Sequence, residues 1–296
     1  MRSIMAQTYE NIEVIICDDC SVDNSFSVIK EYEETMKKRF KRVVIMRNEV
    51  NRGVTKNLNG MLEHAQGEYI KLIASDDMLA KDAIENLVAY AKVSGADIVY
   101  SNMRYVGNDC HYPVGSVEKL KPFYTERPPV GGGIIGNIYA NNFIAAPSVI
   151  FPKATFDKFG NFDEEGMTED LEYWLRVATE GKFDYLDCCT VFYRLNENSL
   201  SHYKPTKEGI EKNRRFHSHL CEVHKRYDRY VTDHDRTVFY NNELAAAMRV
   251  RDKELTLKFF REMRDKGMPI YKENITKMAL LYLGLYGLAR KVLADD

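Results

Sequence analysis

An α/β domain with a mostly parallel sheet, helices on both faces and a C-terminal helical appendage is the fold class this sequence predicts. Three observations carry that prediction. β-type apolar runs alternate with amphipathic helical stretches from Ile12 to Asn102. Two of the runs stop at adjacent carboxylates, Asp18-Asp19 and Asp76-Asp77, at the strand ends where open α/β sheets bind ligands. Beyond Pro205 strand signals cease and charged helical sequence takes over. A chain of 296 residues accommodates this division, with residues 1–203 expected as the sheet domain and 204–296 as the helical region.

In chain order, Met1 to Gln7 reads as the end of a helix, and Ile12 to Cys17 as a strand. Ser25 to Arg39 is helical, led in by a polar cluster able to cap it. Val43 to Met46 is a short β run. Asn48 to Gly53 forms a polar loop, and Thr55 to Ala65 is an amphipathic helix ended by Gly67. Tyr69 to Met78 reads as a buried strand delivering Asp76 and Asp77 at its C-terminal end. A helix over Asp82–Val93 and a strand over Ala96–Asn102 follow. Met103 to about Asn142, punctuated by prolines and a glycine triplet, predicts a long irregular excursion. Regularity resumes with a β run at Pro147–Pro152 and short helices over Lys153–Phe159 and Leu171–Thr179. Two short β segments come next, at Phe183–Leu186 and Thr190–Arg194. Four helices are predicted beyond Pro205, over 207–226, 233–250, 253–266 and 271–293. The apolar part of the last, Met278 to Ala289, is too short to span a bilayer; it packs in the bundle or meets a membrane surface or a partner.

Composition narrows the partners. A formal net charge of -2 and the lack of a basic stripe argue against nucleic acid. The six cysteines show no framework spacing and no signal peptide is evident, which favours a reducing, cytoplasmic setting, with the inner membrane face as an open variant. Cys17-x-x-Cys20 has no second pair at zinc-ribbon distance. Adjacent carboxylates repel one another, and a hard cation such as Mg²⁺ or Mn²⁺ relieves the repulsion while also binding phosphate oxygens. An isolated Asp-Asp or Glu-Asp pair more often caps a helix, so neither pair is decisive alone.

Taken in order, the motifs are more specific. They comprise Gln7-Thr8-Tyr9 before Asp18-Asp19-x-Ser21-x-Asp23; Asn51-Arg52-Gly53 with Lys56-Asn57; Ala65-x-Gly67-Glu68-Tyr69-Ile70 leading to Asp76-Asp77; and Glu169-Asp170-x-x-x-Trp174-Leu175-Arg176. Over residues 3 to 203 this pattern resembles the family 2 glycosyltransferases of the GT-A fold, which are inverting enzymes using nucleotide-diphosphate sugars. The resemblance implies polysaccharide or glycan assembly, a saccharide or lipid-linked acceptor and a Mn²⁺ or Mg²⁺ cofactor. It places Asp19 at the nucleobase, Arg52 and Lys56 around the same pocket, Asp76 toward the ribose or the metal's water shell, and Asp77 as direct metal ligand. Asp170 falls on the catalytic base, taking the acceptor hydroxyl proton as that oxygen attacks the anomeric carbon. His202 falls where many GT-A enzymes supply a metal histidine. A membrane surface and a second copy of the chain remain open as further partners.

Two departures qualify the resemblance. Cys20 stands where a glycine is usual, a mild change unless the position requires positive φ. The family's opening central strand is also lacking, which leads to the expectation of about 25 further residues upstream. Without that strand the flanking strands would pair directly, borrow a strand from another copy, or fold poorly. Two alternatives follow: a non-catalytic nucleotide-sugar-binding remnant, and a metal-dependent nucleotidyltransferase.

Overall fold

The computed structural model describes residues 1–195 and 206–284. By its contacts the chain divides into two compact units, Met1–Ile134 with Phe143–Asn196, and Ile135–Asn142 with Glu197–Asp296. Strands alternate with helices through the first unit: α1 (Arg2–Met5), β1 (Glu13–Asp18), α2 (Ser25–Arg39), β2 (Arg42–Arg47), α3 (Val54–His64), β3 (Tyr69–Lys71), β4 (Met78–Leu79), α4 (Ala83–Ser94) and β5 (Ile98–Val106). After α5 (Ile135–Ala140), which belongs to the second unit, come β6 (Val149–Pro152), α6 (Ala154–Phe159), α7 (Glu169–Ala178) and β7 (Phe183–Arg194).

β1 and β2 form a separate parallel pair, and the main sheet runs β3-β6-β5-β7-β4. The sheet is mixed. Its longest ladder, β5 with β7, is parallel, whereas β6 runs antiparallel to β3 and β5, and β4 antiparallel to β7. Both faces are covered, as the period-2 alternation of β6 shows. Ile150 joins Leu87, Val88 and Ala91 of α4, while Phe151 turns the other way onto Phe156 of α6 and Tyr173 and Trp174 of α7. Trp174 is fully buried and its indole N–H donates to the Ile144 carbonyl at 3.0 Å, so burial leaves no donor unpaired.

Several local predictions differ from the structure. The strand expected over Tyr69–Met78 pairs only as far as Lys71, because its partner β6 begins at Val149, just after a 3₁₀ turn over Ala146–Ser148. The acids therefore sit on a loop between β3 and β4. The two β segments expected over 183–194 are one strand, split in the sequence pattern by register shifts opposite Ser101 to Met103. At that irregularity the Ser101 hydroxyl lies 2.5 Å from the Thr190 hydroxyl and donates to the Ser148 carbonyl at 3.1 Å, filling the polar needs of a buried bulge. The excursion expected to be irregular contains α5. Among the described residues β1 pairs only with β2, and β3 only with β6, so these two strands do not pair with each other.

In the second unit, α8 (Lys207–Tyr227), α9 (Asp233–Arg249), α10 (Lys253–Asp265) and α11 (Lys272–Tyr282) follow one another, and α5, α10 and α11 pack on α9. Thr232 and Asp235 form a reciprocal capping box that starts α9, and Leu244, Ala247 and Met248 bury its core face. His224 stacks on Phe239 at 3.7 Å.

Cys20 occupies the left-handed region at φ 63. The substitution noted in the sequence is therefore not neutral, because a side chain there costs about 1–2 kcal/mol. Cys20→Gly removes that cost but gains unfolded-chain freedom of about 0.5–1 kcal/mol and loses the weak thiol contact to the Glu49 carbonyl. The expected result is a net gain of up to about 1 kcal/mol, seen as a higher urea midpoint at unchanged slope. A lower midpoint would mean that the thiol contact outweighs the backbone strain.

Candidate active site

The site is built around Asp77. Antiparallel pairing of Met78 with Phe192 and Leu79 with Val191 carries the preceding residue under the end of β7. There Asp77 is only 7% exposed, and its Oδ1 accepts the Arg194 backbone N–H at 2.9 Å. Its other oxygen, Oδ2, is buried with no hydrogen-bond partner. Burial pushes the Asp77 carboxyl up to about 6, and the neighbouring Asp76 charge adds to this against the Arg194 N–H and the Lys71 and Arg194 charges. Lys71 donates to the carbonyls of Leu72 and Pro147, and burial pulls its ammonium down to about 7. Asp76 is exposed, one residue away.

Asp76, Asp77 and Arg194 line a cavity of about 490 Å³, with Arg2 of α1, Tyr32 of α2, His111 and Tyr112 among its other lining residues. Its chemistry suits a divalent ion, since a buried carboxylate with one unpaired oxygen, beside an exposed carboxylate, is a cation donor set. Among the described residues no three His, Cys, Asp or Glu side chains gather as a complete metal cage. Mg²⁺ and Mn²⁺ are commonly held by one or two carboxylates plus substrate phosphates and water. A cavity of about 630 Å³ in the second unit is larger, but its Arg214 is already taken up by Asp252 and Glu254.

Glu169 and Asp170 open α7, where two carboxylates complement the helix N-terminus. The half-buried Asp170 accepts the Leu171 N–H at 2.6 Å, and burial together with the Asp170 charge pushes Glu169 up to about 7. Asp170 is not in the cavity wall. Burial raises the Tyr193 phenol, and the charges of Asp77 and Asp76, then Tyr105 and Asp170, add to this.

Asp19 is placed with Arg52, although through the Arg52 backbone. Its carboxylate accepts the N–H groups of Arg52 and Gly53, each at 2.9 Å, and the Asn48 amide at 2.8 Å. Burial favours the neutral acid, but these bonds and the Arg52 charge outweigh it and hold Asp19 below the usual carboxylate range. Asn48 also donates to Asn57 of α3 at 3.0 Å. Lys56 is half-buried on α3, and the Arg52 residue is exposed. This group does not share the Asp76-Asp77 cavity wall. His202 lies outside the described residues.

Sequence reasoning missed Arg194, Tyr193, His111 and Asn48. The signal available for the first two was an aromatic-basic pair ending a β run, which by alternation sends one side chain to each face.

Residues 1–149 match the family glycosyl transferase family 2. EpsE of Bacillus subtilis strain 168, a protein named as a glycosyltransferase, is 34% identical over 208 residues, covering 67% of each chain. The Escherichia coli UDP-Glc:alpha-D-GlcNAc-diphosphoundecaprenol beta-1,3-glucosyltransferase WfaP is 27% identical, over 68% of this chain and 72% of its own. Among solved structures, S. aureus TarS 1-349 in complex with UDP-GlcNAc superposes with a TM-score of 0.55 at 17% identity, over 98% of this chain and 86% of that one. The mannosyltransferase PcManGT from Pyrobaculum calidifontis, in complex with GDP-Man and Mn²⁺, gives 0.55 at 14% identity over 100% and 82%. These two likenesses agree on a GT-A-type fold, and the profile match and the identity to EpsE carry the assignment: the chain belongs to glycosyl transferase family 2.

Proposed function

We propose that this glycosyltransferase moves a sugar from a UDP-sugar to an acceptor hydroxyl with inversion, with a divalent cation held by Asp76 and Asp77. The observation that carries this reading is the buried, unpaired Asp77 Oδ2 beside the exposed Asp76. Bound there, Mn²⁺ or Mg²⁺ would supply Lewis-acid neutralisation of the leaving diphosphate. Asp77 contributes the buried oxygen, oriented because the Arg194 N–H fixes its partner oxygen. Asp170 is the general base in this reading, accepting the proton of the attacking hydroxyl. Its neighbour Glu169, pushed up to about 7, carries a proton more readily than an ordinary carboxyl and so limits charge repulsion at that end of α7. Asp19 retains lone-pair capacity beyond its three described bonds, and a carboxylate there suits the imide N–H of uracil. Arg52 and Lys56 supply positive charge on the same loop and helix.

The uridine nucleotide is supported by the UDP-Glc named for the E. coli relatives WfaP and WfgD. Their diphosphoundecaprenol acceptors support a lipid-linked acceptor here, met at a membrane surface. Among the described residues no helix is long and apolar enough to cross a membrane. Calorimetry with UDP- and GDP-sugars in the presence of Mn²⁺ tests the reading. It expects Mn²⁺-dependent binding of a UDP-sugar, and metal-independent binding or none at all would overturn it.

Asp77→Asn is expected to keep the fold, because the amide oxygen can still accept from Arg194. Mn²⁺-dependent UDP affinity should nevertheless fall by about 100-fold or more, since a neutral amide replaces the anionic ligand. Unchanged affinity would refute the metal assignment.

Protons and metal compete for Asp77. With its carboxyl raised to about 6, the anion needed for metal is present above that pH and lost below it. Mn²⁺ affinity should therefore fall by about tenfold per unit as pH drops below 6, and a flat profile from pH 7 to 5 would contradict the role.

Asp170→Asn should leave UDP-sugar binding intact while transfer drops by about 10² or more. An equal loss of donor binding would instead make Asp170 part of the donor site.

A further inference from the structure

The Arg194 side chain is tied to four backbone carbonyls. Nε donates to Asp76 at 2.9 Å, Nη1 to Gly107 at 2.7 Å and to Asn108 at 3.0 Å, and Nη2 to Cys110 at 2.9 Å. Its own backbone N–H meanwhile holds the Asp77 carboxylate. One residue therefore joins three pieces of chain: the end of β7, the Asp76-Asp77 turn, and the loop leaving β5. His111 and Tyr112 continue that loop into the wall of the acid-lined cavity. With the guanidinium donors directed at these carbonyls, the residue serves the protein's own backbone rather than a ligand.

We propose that Arg194 is a positioning residue for the transfer reaction, clamping the 107–112 loop onto the Asp76-Asp77 turn so that His111 and Tyr112 face the donor's diphosphate. The proposal rests on the functional reading above. The planar fork is what the clamp requires, because guanidinium donors diverge along fixed directions while a lysine presents three donors from a single point. The carbonyls of Gly107, Asn108 and Cys110 belong to a segment whose Cys110 N–H makes a turn bond to the Gly107 carbonyl at 3.1 Å and whose Cys110 and Tyr112 pack on the Met78, Val106 and Phe192 cluster. Without the fork, that segment keeps its apolar packing on the Met78, Val106 and Phe192 cluster but loses the hydrogen bonds that run through Arg194 to the Asp76 carbonyl.

Arg194→Lys tests this, because it keeps the charge beside Asp77 and the backbone N–H while losing the fork. Three quantities are compared with wild type: hydrogen exchange of the 107–112 amides in metal-free protein, UDP affinity with Mn²⁺ by calorimetry, and donor KM against kcat. The proposal expects about tenfold faster exchange confined to 107–112 and 75–78, and about 10- to 100-fold weaker UDP binding. Donor KM should rise while kcat stays within about threefold. Unchanged exchange would overturn the clamp, and faster exchange with unchanged UDP affinity would overturn its role in the reaction.

His111→Ala leaves every Arg194 contact in place and provides a second arm should Arg194→Lys unfold. It should raise donor KM by about fivefold or more at unaltered exchange, and an unchanged KM would remove the loop from the donor site. Failure of wild-type protein to bind any nucleotide with Mn²⁺ would sink the functional reading, while the exchange comparison would still decide whether Arg194 clamps the loop.

Discussion

The burial of one carboxylate, with one oxygen held and the other left open, is the constraint on which the rest of the site depends. Asp77 reaches that position because Met78 and Leu79, both buried, pair antiparallel with Phe192 and Val191 of β7. Its Oδ1 then meets the Arg194 N–H, and Oδ2 is left without a partner. An unsatisfied buried acceptor costs about 1–3 kcal/mol, more when charged, so the arrangement persists only where packing around it over-determines it. Leu79, two residues on, is anchored in a buried cluster with Met103 and Val191, against which Tyr193 packs.

The two acidic turns show how one residue type takes opposite roles. Asp19 accepts three hydrogen bonds and its carboxyl is held low, which fixes the 48–53 loop and keeps the group anionic. Asp77 accepts one, lies deeper, and is pushed up to about 6. A carboxylate satisfied by backbone N–H groups is a structural anchor with some capacity to spare. One starved of donors gains most from a cation. The difference comes first from depth of burial and then from donor supply.

Much of this was legible in the sequence where the signal is local. The polar cluster before Ser25 marks the start of α2, and the observed helix spans Ser25–Arg39 as expected. The ordered acidic motifs pointed to the family and to the α/β fold. What was not legible depends on partners distant in the chain. β3 stops at Lys71 because β6 starts at Val149, and no property of residues 72–78 announces that. The bulges that unite Phe183–Arg194 into one strand answer to β5. Positive φ at Cys20 is a demand of the turn that a cysteine conceals. Arg194 ends a β run like any solvent-facing arginine, and only the fold brings it to carbonyls about 85 residues or more away along the chain.

The account stands or falls on whether the open oxygen of Asp77 meets a cation, and carboxyl ¹³C NMR observes that atom directly. Titration without metal should show one aspartate carboxyl near pH 6, assigned to Asp77 by its loss in Asp77→Asn. Substoichiometric Mn²⁺ with UDP should then broaden that resonance before those of Asp19 or Asp170. An Asp77 signal that titrates at an ordinary carboxylate pKa, or that stays sharp while Asp170 or Asp19 broadens, would contradict the account.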